Sequence, residues 1–396
     1  MDPLPLFQSP FFTVGRDHRH LVVRLLAEAW VLSTCPVNGG LRRDLTHLVN
    51  HQSCEPVKHQ ERFEFITGKG PVGYHSHVCA ELALDPRTTA VLGTAATMQY
   101  LGIATRTHAD LSVTAIVTAG VTGNAGCAGE PAAYDESGGV WKRTTTEADP
   151  KAAGTHGGTI NTLLLFSSPL TESALSRAVV TMTEAKTSAL FDLAIGSRSS
   201  WRPATGTGTD QFAIAAPAAG ANVRTWTGHH TKAGELIGLT VREATLESLR
   251  WQNGLEPSYT RSLFHALGRF GLTEEHFKAH MEALLDAGDH ALLKHNWNPV
   301  IFEPQLASAA YAYAAVLDRI LCGTLGFAAA HEALLNQAAL MAAGLAARPA
   351  AFPTFRAELA GELSPEDATR DGTLPAPAVE LACRAIALGW RSKWRT

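Results

Sequence analysis

No stretch of this 396-residue chain approaches the roughly 18 consecutive apolar residues of a membrane-spanning helix. Its most Ala-rich stretch, 323–349, carries His331, Glu332, Asn336 and Gln337 and reads as a helix in water. Basic residues are not in excess: 33 Lys and Arg stand against 37 Asp and Glu, a formal charge of −4, which leaves no basic face for nucleic acid. The six cysteines, Cys35, Cys54, Cys79, Cys127, Cys322 and Cys383, include no CxxC pair, so neither a disulfide framework nor a zinc ribbon is indicated. The start, "MDPLPLFQSPFF", offers an acid and two prolines where a signal peptide needs a basic start and an apolar core, so reduced thiols in a cytoplasm are the expectation. A GxSxG nucleophile elbow is absent too.

What is present is a globular composition, 45% hydrophobic and 18% charged, with two different halves. Up to about residue 250 the chain is rich in Gly and Thr and alternates β-like runs with helical ones. "HLVVRL", "AWVLST", "LSVTAIVTAG" (111–120), "GGTINTLLLFSS" (157–168) and "DQFAIAAP" (210–217) read as strands. Two long helices are expected. One is capped by Thr171, with Ala174, Ala178, Met182, Ala185, Ala189 and Leu193 as its buried stripe. The other is capped by Thr231, with Ala233, Leu236, Ile237, Val241 and Ala244 inward. From Trp251 the pattern is helical to the end. The fold expected is therefore α+β, a layered sheet with long packed helices over 1–250, followed by an all-α domain over 251–396. The polar, Gly-rich run 128–158 lies between two strong strands, as a lid or a disordered loop would.

The polar corners carry the candidate chemistry. In "ATGTGTDQFAIAAP", Thr205, Thr207 and Thr209 alternate with glycines and Asp210 closes the run before a strand. The spacing fits neither a P-loop nor a dinucleotide fingerprint; it suits a backbone that approaches a ligand closely, or simply a Gly-rich turn with a capping Asp. In "TEAKTSALFDL", Glu184 and Lys186 lie two apart, so a helix turns them to nearly opposite sides. Arg177, Thr181, Glu184 and Ser188 share one face, which is either a cleft wall or a solvated surface. Thr159 and Asn161 in "GTIN", and Thr118 and Asn124 in "VTAGVTGNAG", are candidate donors or strand-end hydrogen bonds. His75, His77 and Cys79 in "YHSHVC" would share one side of a strand, but no fourth ligand is spaced to complete a metal site. His276 and His280 lack the Glu of HExxH. No metal is assigned, and His18, His20, His47, His51 and His59 read as surface or packing groups.

Taken in order, "VLSTCPVNGGL", "LVNHQ", "VTAGVTGNAG", "GTIN", "TEAKTSAL", "ATGTGTDQ" and "GHHTKAGELIG" resemble the adenosylcobinamide amidohydrolases, corrinoid-salvage enzymes that cleave the aminopropanol amide of adenosylcobinamide to leave adenosylcobyric acid. The likeness covers about residues 12–250. It implies cytoplasmic amide hydrolysis on a corrinoid substrate, with no cofactor, nucleic acid or membrane, and leaves homo-oligomerisation open. Within that frame His230, at a helix start whose dipole disfavours imidazolium, is the expected general base. Asp210 orients it or activates water; Lys232 and Asn161 polarise the carbonyl; Glu184 completes the catalytic set. Amides near 206–208 would line an oxyanion hole, with Thr209 or Thr159 as the alternative nucleophile. Gly39, Gly40, Thr118, Asn124, Thr159, Lys186, Thr205, Thr207 and Thr209 are the expected substrate contacts. Two other readings stay open: a related amide- or ester-processing enzyme for another metabolite, and a corrinoid-binding module without catalysis.

Overall fold

The structure, a computed structural model, describes residues 4–54, 59–132, 134–144, 158–363 and 374–394. It divides into two compact units, Met1–Glu256 and Pro257–Thr396. The first opens with β1 (Leu4–Gln8), β2 (Phe12–Arg16), β3 (His20–Leu25), β4 (Ala29–Ser33), β5 (Gly40–Arg42), β6 (His47–Gln52), α1 (His59–Glu81) and β7 (Thr89–Thr94). It continues through β8 (Gly102–His108), β9 (Leu111–Ala119), the short β10 (Ala125–Gly126), β11 (Tyr134–Ser137), β12 (Val140–Arg143), β13 (Ile160–Phe166) and α2 (Glu172–Asp192). It closes with β14 (Gly206–Thr207), β15 (Gln211–Pro217) and α3 (Lys232–Asn253).

Two sheets result. The five-stranded one has the order β1-β2-β3-β6-β7 and the six-stranded one β5-β4-β15-β13-β9-β8. They pack face to face, since Val14, Leu21, Val23, Leu48 and Leu92 of the first share a core with Ile116, Leu163, Leu165 and Ala213 of the second. The outer face of the first sheet, with Val22, Val49 and Val91, is covered by Val78 and Cys79 of α1. The outer face of the second is covered by α2 and α3 through Ala174, Ala178, Met182, Leu236, Ile237 and Val241. The unit is an α/β/β/α stack within an α+β fold, and near-continuous apolar runs such as "INTLLLF" are what a sheet buried on both faces requires.

The five strands expected from the sequence all form. So do the caps of the two long helices: Thr171 accepts from the Ala174 amide and Thr231 from the Gly234 amide. The reading of "YHSHVC" as a strand is corrected. It is the second half of α1, whose axis breaks at Gly70 (φ 65°) before Pro71. On a helix, residues two apart diverge and residues four apart meet, so His75 faces Cys79 (3.6 Å) while His77 turns to Glu81. Within 128–158, Tyr134–Ser137 and Val140–Arg143 pair as an antiparallel hairpin, and 145–157, part of the expected lid, lie outside the described residues.

The second unit is helical throughout its described residues. Phe327–Ala346 packs between Pro304–Leu321 and Pro375–Lys393. Tyr313 and Trp390 are fully buried there and keep their polar ends satisfied on the carbonyls of Ala378 and Asp289. No described helix of either unit is long and apolar enough to cross a membrane.

One close approach fixes α3 on the sheet. A Cβ placed on Gly102 of β8 would stand 2.0 Å from the carbonyl oxygen of Ala244, a backbone atom that cannot yield locally. Gly238, on the same helix, has open space around it. Gly102→Ala is expected to lower stability by about 1–3 kcal/mol. Gly238→Ala should instead stabilise by about 0.5–1 kcal/mol through helix propensity. Urea unfolding of the two variants should therefore move in opposite directions.

Candidate active site

Strand direction decides which polar corners meet. β13 and β15 are parallel, and β9 runs antiparallel to β13 with Ile160 opposite Ala119. The residues before β13, those before β15 and those after β9 therefore share one end of the six-stranded sheet. Asp210 lies at that end, 17% exposed, and its carboxylate takes four hydrogen bonds. Oδ1 accepts from the Ile160 amide (2.9 Å) and the Thr207 hydroxyl (2.5 Å); Oδ2 accepts from Lys186 Nζ (2.5 Å) and the Thr207 amide (3.0 Å). Lys186 comes from α2 and is 13% exposed. The packing also explains a glycine: a Cβ on Gly206 would lie 2.6 Å from Asp210 Oδ2 and 2.7 Å from Lys186 Nζ.

Beside this pair runs a chain of hydroxyls and one amide. Thr159 and Thr209 hydroxyls are 2.5 Å apart, Thr209 donates to the Gly158 carbonyl, and Asn124 Nδ2 donates to the same carbonyl and to Thr209. Thr205 is tied to the neighbouring corner, its amide donating to the Gly126 carbonyl and its hydroxyl accepting from the Ala128 amide. Thr209 is exposed and Thr207 half-buried, so the corner is reachable from solvent. The array can hold a carbonyl substrate, offer a hydroxyl nucleophile and set a cation beside it. The expected oxyanion hole from amides 206–208 is only partly available, since the Thr207 amide is committed to Asp210.

Other expected residues sit elsewhere. Asn161 and Thr118 are fully buried between the sheets. Asn50 donates to the Thr118 hydroxyl, and Asn161 donates to Asn50 Oδ1 and to the Gly93 carbonyl. They join β6 and β7 to the six-stranded sheet beneath the corner and do not face a substrate. Gly39 lies in the β4–β5 turn, which Asn38 ties to the carbonyls of Pro86 and Thr89, and Gly40 begins β5 opposite Ser33. Glu184 pairs with His229 on the exposed surface of α2, on the opposite side from Lys186.

The expected partnership of His230 with Asp210 is not formed. The segment 218–231 leaves the far end of β15 and runs back along α2, where Thr227 meets Ala174 and Thr181 and His229 reaches Glu184. Lys232 and Thr231 border a hollow of about 410 Å³ shared with His108, Asp110, Arg224 and Trp226, beside Leu111, where β9 begins. The nine residues of β9 set that end roughly 25–30 Å from Ala119. His230 is exposed, Lys232 pairs with Glu235, and among the described residues no hydrogen bond or ion pair joins either to Asp210. One cluster is not announced by the sequence: His20 and His51, with Glu81 of α1, whose ligand atoms lie within 4.8 Å of one another. The signal for it is the pairing of His20 with His51 across β3 and β6, which no local motif reveals.

The family model for adenosylcobinamide amidohydrolase matches residues 8–257, ending where the first compact unit ends. An uncharacterised protein of Methanocaldococcus jannaschii is 35% identical over 188 residues, covering 46% of this chain and 71% of that protein. A solved structure from Pyrococcus horikoshii OT3 aligns over 63% of this chain and 83% of its own, with 10% identity and a TM-score of 0.30, a likeness too slight to bear on the fold.

The Lys186–Asp210 pair should be strongly coupled. Lys186→Met leaves a carboxylate shielded from water without its cation and is expected to cost about 3 kcal/mol. Asp210→Asn should cost a similar amount. The double variant should lose less than the sum, with a coupling of about 1–3 kcal/mol by a chemical-denaturation cycle.

Proposed function

The chain belongs to the adenosylcobinamide amidohydrolase family, and we propose that it hydrolyses the aminopropanol amide of adenosylcobinamide, leaving adenosylcobyric acid. The observation that carries the reading is the convergence of Lys186, Asp210 and Thr207 at one solvent-reachable sheet corner inside the matched region. Thr207 is the nucleophile. Its hydroxyl already donates to Asp210 Oδ1, so that as its oxygen bonds to the carboxamide carbon the proton passes along that hydrogen bond. The electron pair of the carbonyl moves onto its oxygen, opposite the positive charge of Lys186. The proton then goes to the aminopropanol nitrogen, the C–N bond breaks and an ester to Thr207 remains. Water repeats the sequence, releasing the corrinoid acid and returning the proton to Thr207.

Each Asp210 oxygen already accepts from two donors, which makes the first proton transfer the demanding step. The ammonium of Lys186 offsets it by stabilising the charge that develops. Thr209, Thr159 and Asn124 hold the loop in shape, and the exposed Thr209 is the substrate contact among them. His230 and Lys232 take no part in these steps.

The test is incubation of the full chain with adenosylcobinamide, reading aminopropanol and the corrinoid acid by mass. Wild type should release both. Thr207→Ser should keep activity within about tenfold, and Thr207→Ala should lose about a thousandfold or more. Full activity in Thr207→Ala would make water the nucleophile; binding without release would leave a corrinoid-binding module; no corrinoid binding at all would point to another metabolite.

A further inference from the structure

A second polar cluster lies on the face of the five-stranded sheet that α1 covers, away from the Asp210 corner. His20 begins β3, His51 lies near the end of β6, and the two are paired across the strands with their rings stacked 4.6 Å apart. Glu81, the last residue of α1, brings Oε2 to 3.3 Å from His20 Nε2 and 4.0 Å from His51 Nε2. One ligand atom from each residue thus lies within 4.8 Å of the others. We propose that His20, His51 and Glu81 form a site for a divalent transition-metal ion of the zinc class, bound through both Nε2 atoms and one carboxylate oxygen.

Each of the three groups is held from behind in the way metal ligands are. His20 Nδ1 lies 3.0 and 3.2 Å from the two carboxylate oxygens of Asp17; donating its proton there leaves the Nε2 lone pair free. His51 Nδ1 is 2.7 Å from the Tyr74 hydroxyl, which fixes that ring in turn. His77 Nε2 stands 3.4 Å from Glu81 Oε1, leaving Oε2 to face the two rings.

An independent observation points to an occupant. His51 is 1% exposed, and its Nε2 has no hydrogen-bond partner among the described residues. A buried polar atom left this way is destabilising unless something satisfies it. A tetrahedral ion at about 2.1 Å from each ligand needs those atoms about 3.4 Å apart. The cluster must therefore contract by about an ångström, and the rings, now 11° from parallel, must fan. Glu81 is 41% exposed, so a fourth position for water opens at its side. The ion would tie the end of α1 to β3 and β6.

The competing arrangement holds no ion, with His20 hydrogen-bonded between Asp17 and Glu81 alone. Untagged full-length protein, dialysed against chelator, is titrated with Co²⁺ and then Zn²⁺. One equivalent of Co²⁺ with visible d–d absorption, displaced by Zn²⁺, is expected. Glu81→Gln and His51→Gln should each weaken Co²⁺ binding by about tenfold or more. Far-UV circular dichroism of the metal-free Glu81→Gln variant should match wild type, and Zn²⁺ should raise the melting temperature of wild type only. The proposal is overturned if wild type binds neither ion, if both variants bind as tightly, or if thiolate charge-transfer bands put the ion on cysteine. None of these readouts depends on corrinoid turnover.

Discussion

Asp210 is the point on which the candidate site is built. Its two oxygens collect a strand amide from β13, an ammonium from α2, and both a hydroxyl and an amide from its own loop. Three stretches of chain that share no local sequence relation are thereby brought to one corner of the sheet. The pair is shielded enough that neither charge is well served by water, so each needs the other. That requirement fixes the loop closely enough to forbid a side chain at residue 206 and to aim the Thr207 hydroxyl.

Much of the fold was legible because apolar periodicity reports burial directly. "LSVTAIVTAG" and "INTLLLF" could be little else than strands, and Thr171 and Thr231 stand where an N-cap must. α1 was hidden by its Gly70–Pro71 break and by alternating His residues that imitate a strand. Lys186 and Glu184 were separable by helix geometry alone, but which of them turns toward Asp210 depends on how α2 lies on the sheet. The grouping of Lys232 with Asp210 failed for a reason already present in the sequence. The seven residues of β15 intervene, and the corners before and after one strand lie at its opposite ends. "GTIN" and "TGTGTD", each preceding one of two parallel strands, meet for the same reason.

The family match and the first compact unit end together, at residues 257 and 256. Every residue of the Asp210 corner falls within them. That separation matters for the chemistry, because strand order and direction within the first unit alone decide which corners converge.

The two polar clusters of that unit are linked by the alternation of a single strand. Asn50 and His51 are neighbours on β6, so their side chains leave opposite faces. Asn50 turns inward to Thr118 and Asn161, beneath the Asp210 corner; His51 turns outward to His20 and Tyr74 beneath α1. The polar seam inside the stack is satisfied almost wholly by its own amides, except for Asn161 Oδ1. The outer cluster instead leaves a nitrogen of His51 unmatched. A slip of one residue in the pairing of β6 would exchange the two faces, burying His51 against the second sheet and turning Asn50 toward α1. Both clusters therefore depend on the same register, and the His20–His51 pairing that builds one also sets the depth at which Asn50 supports the other.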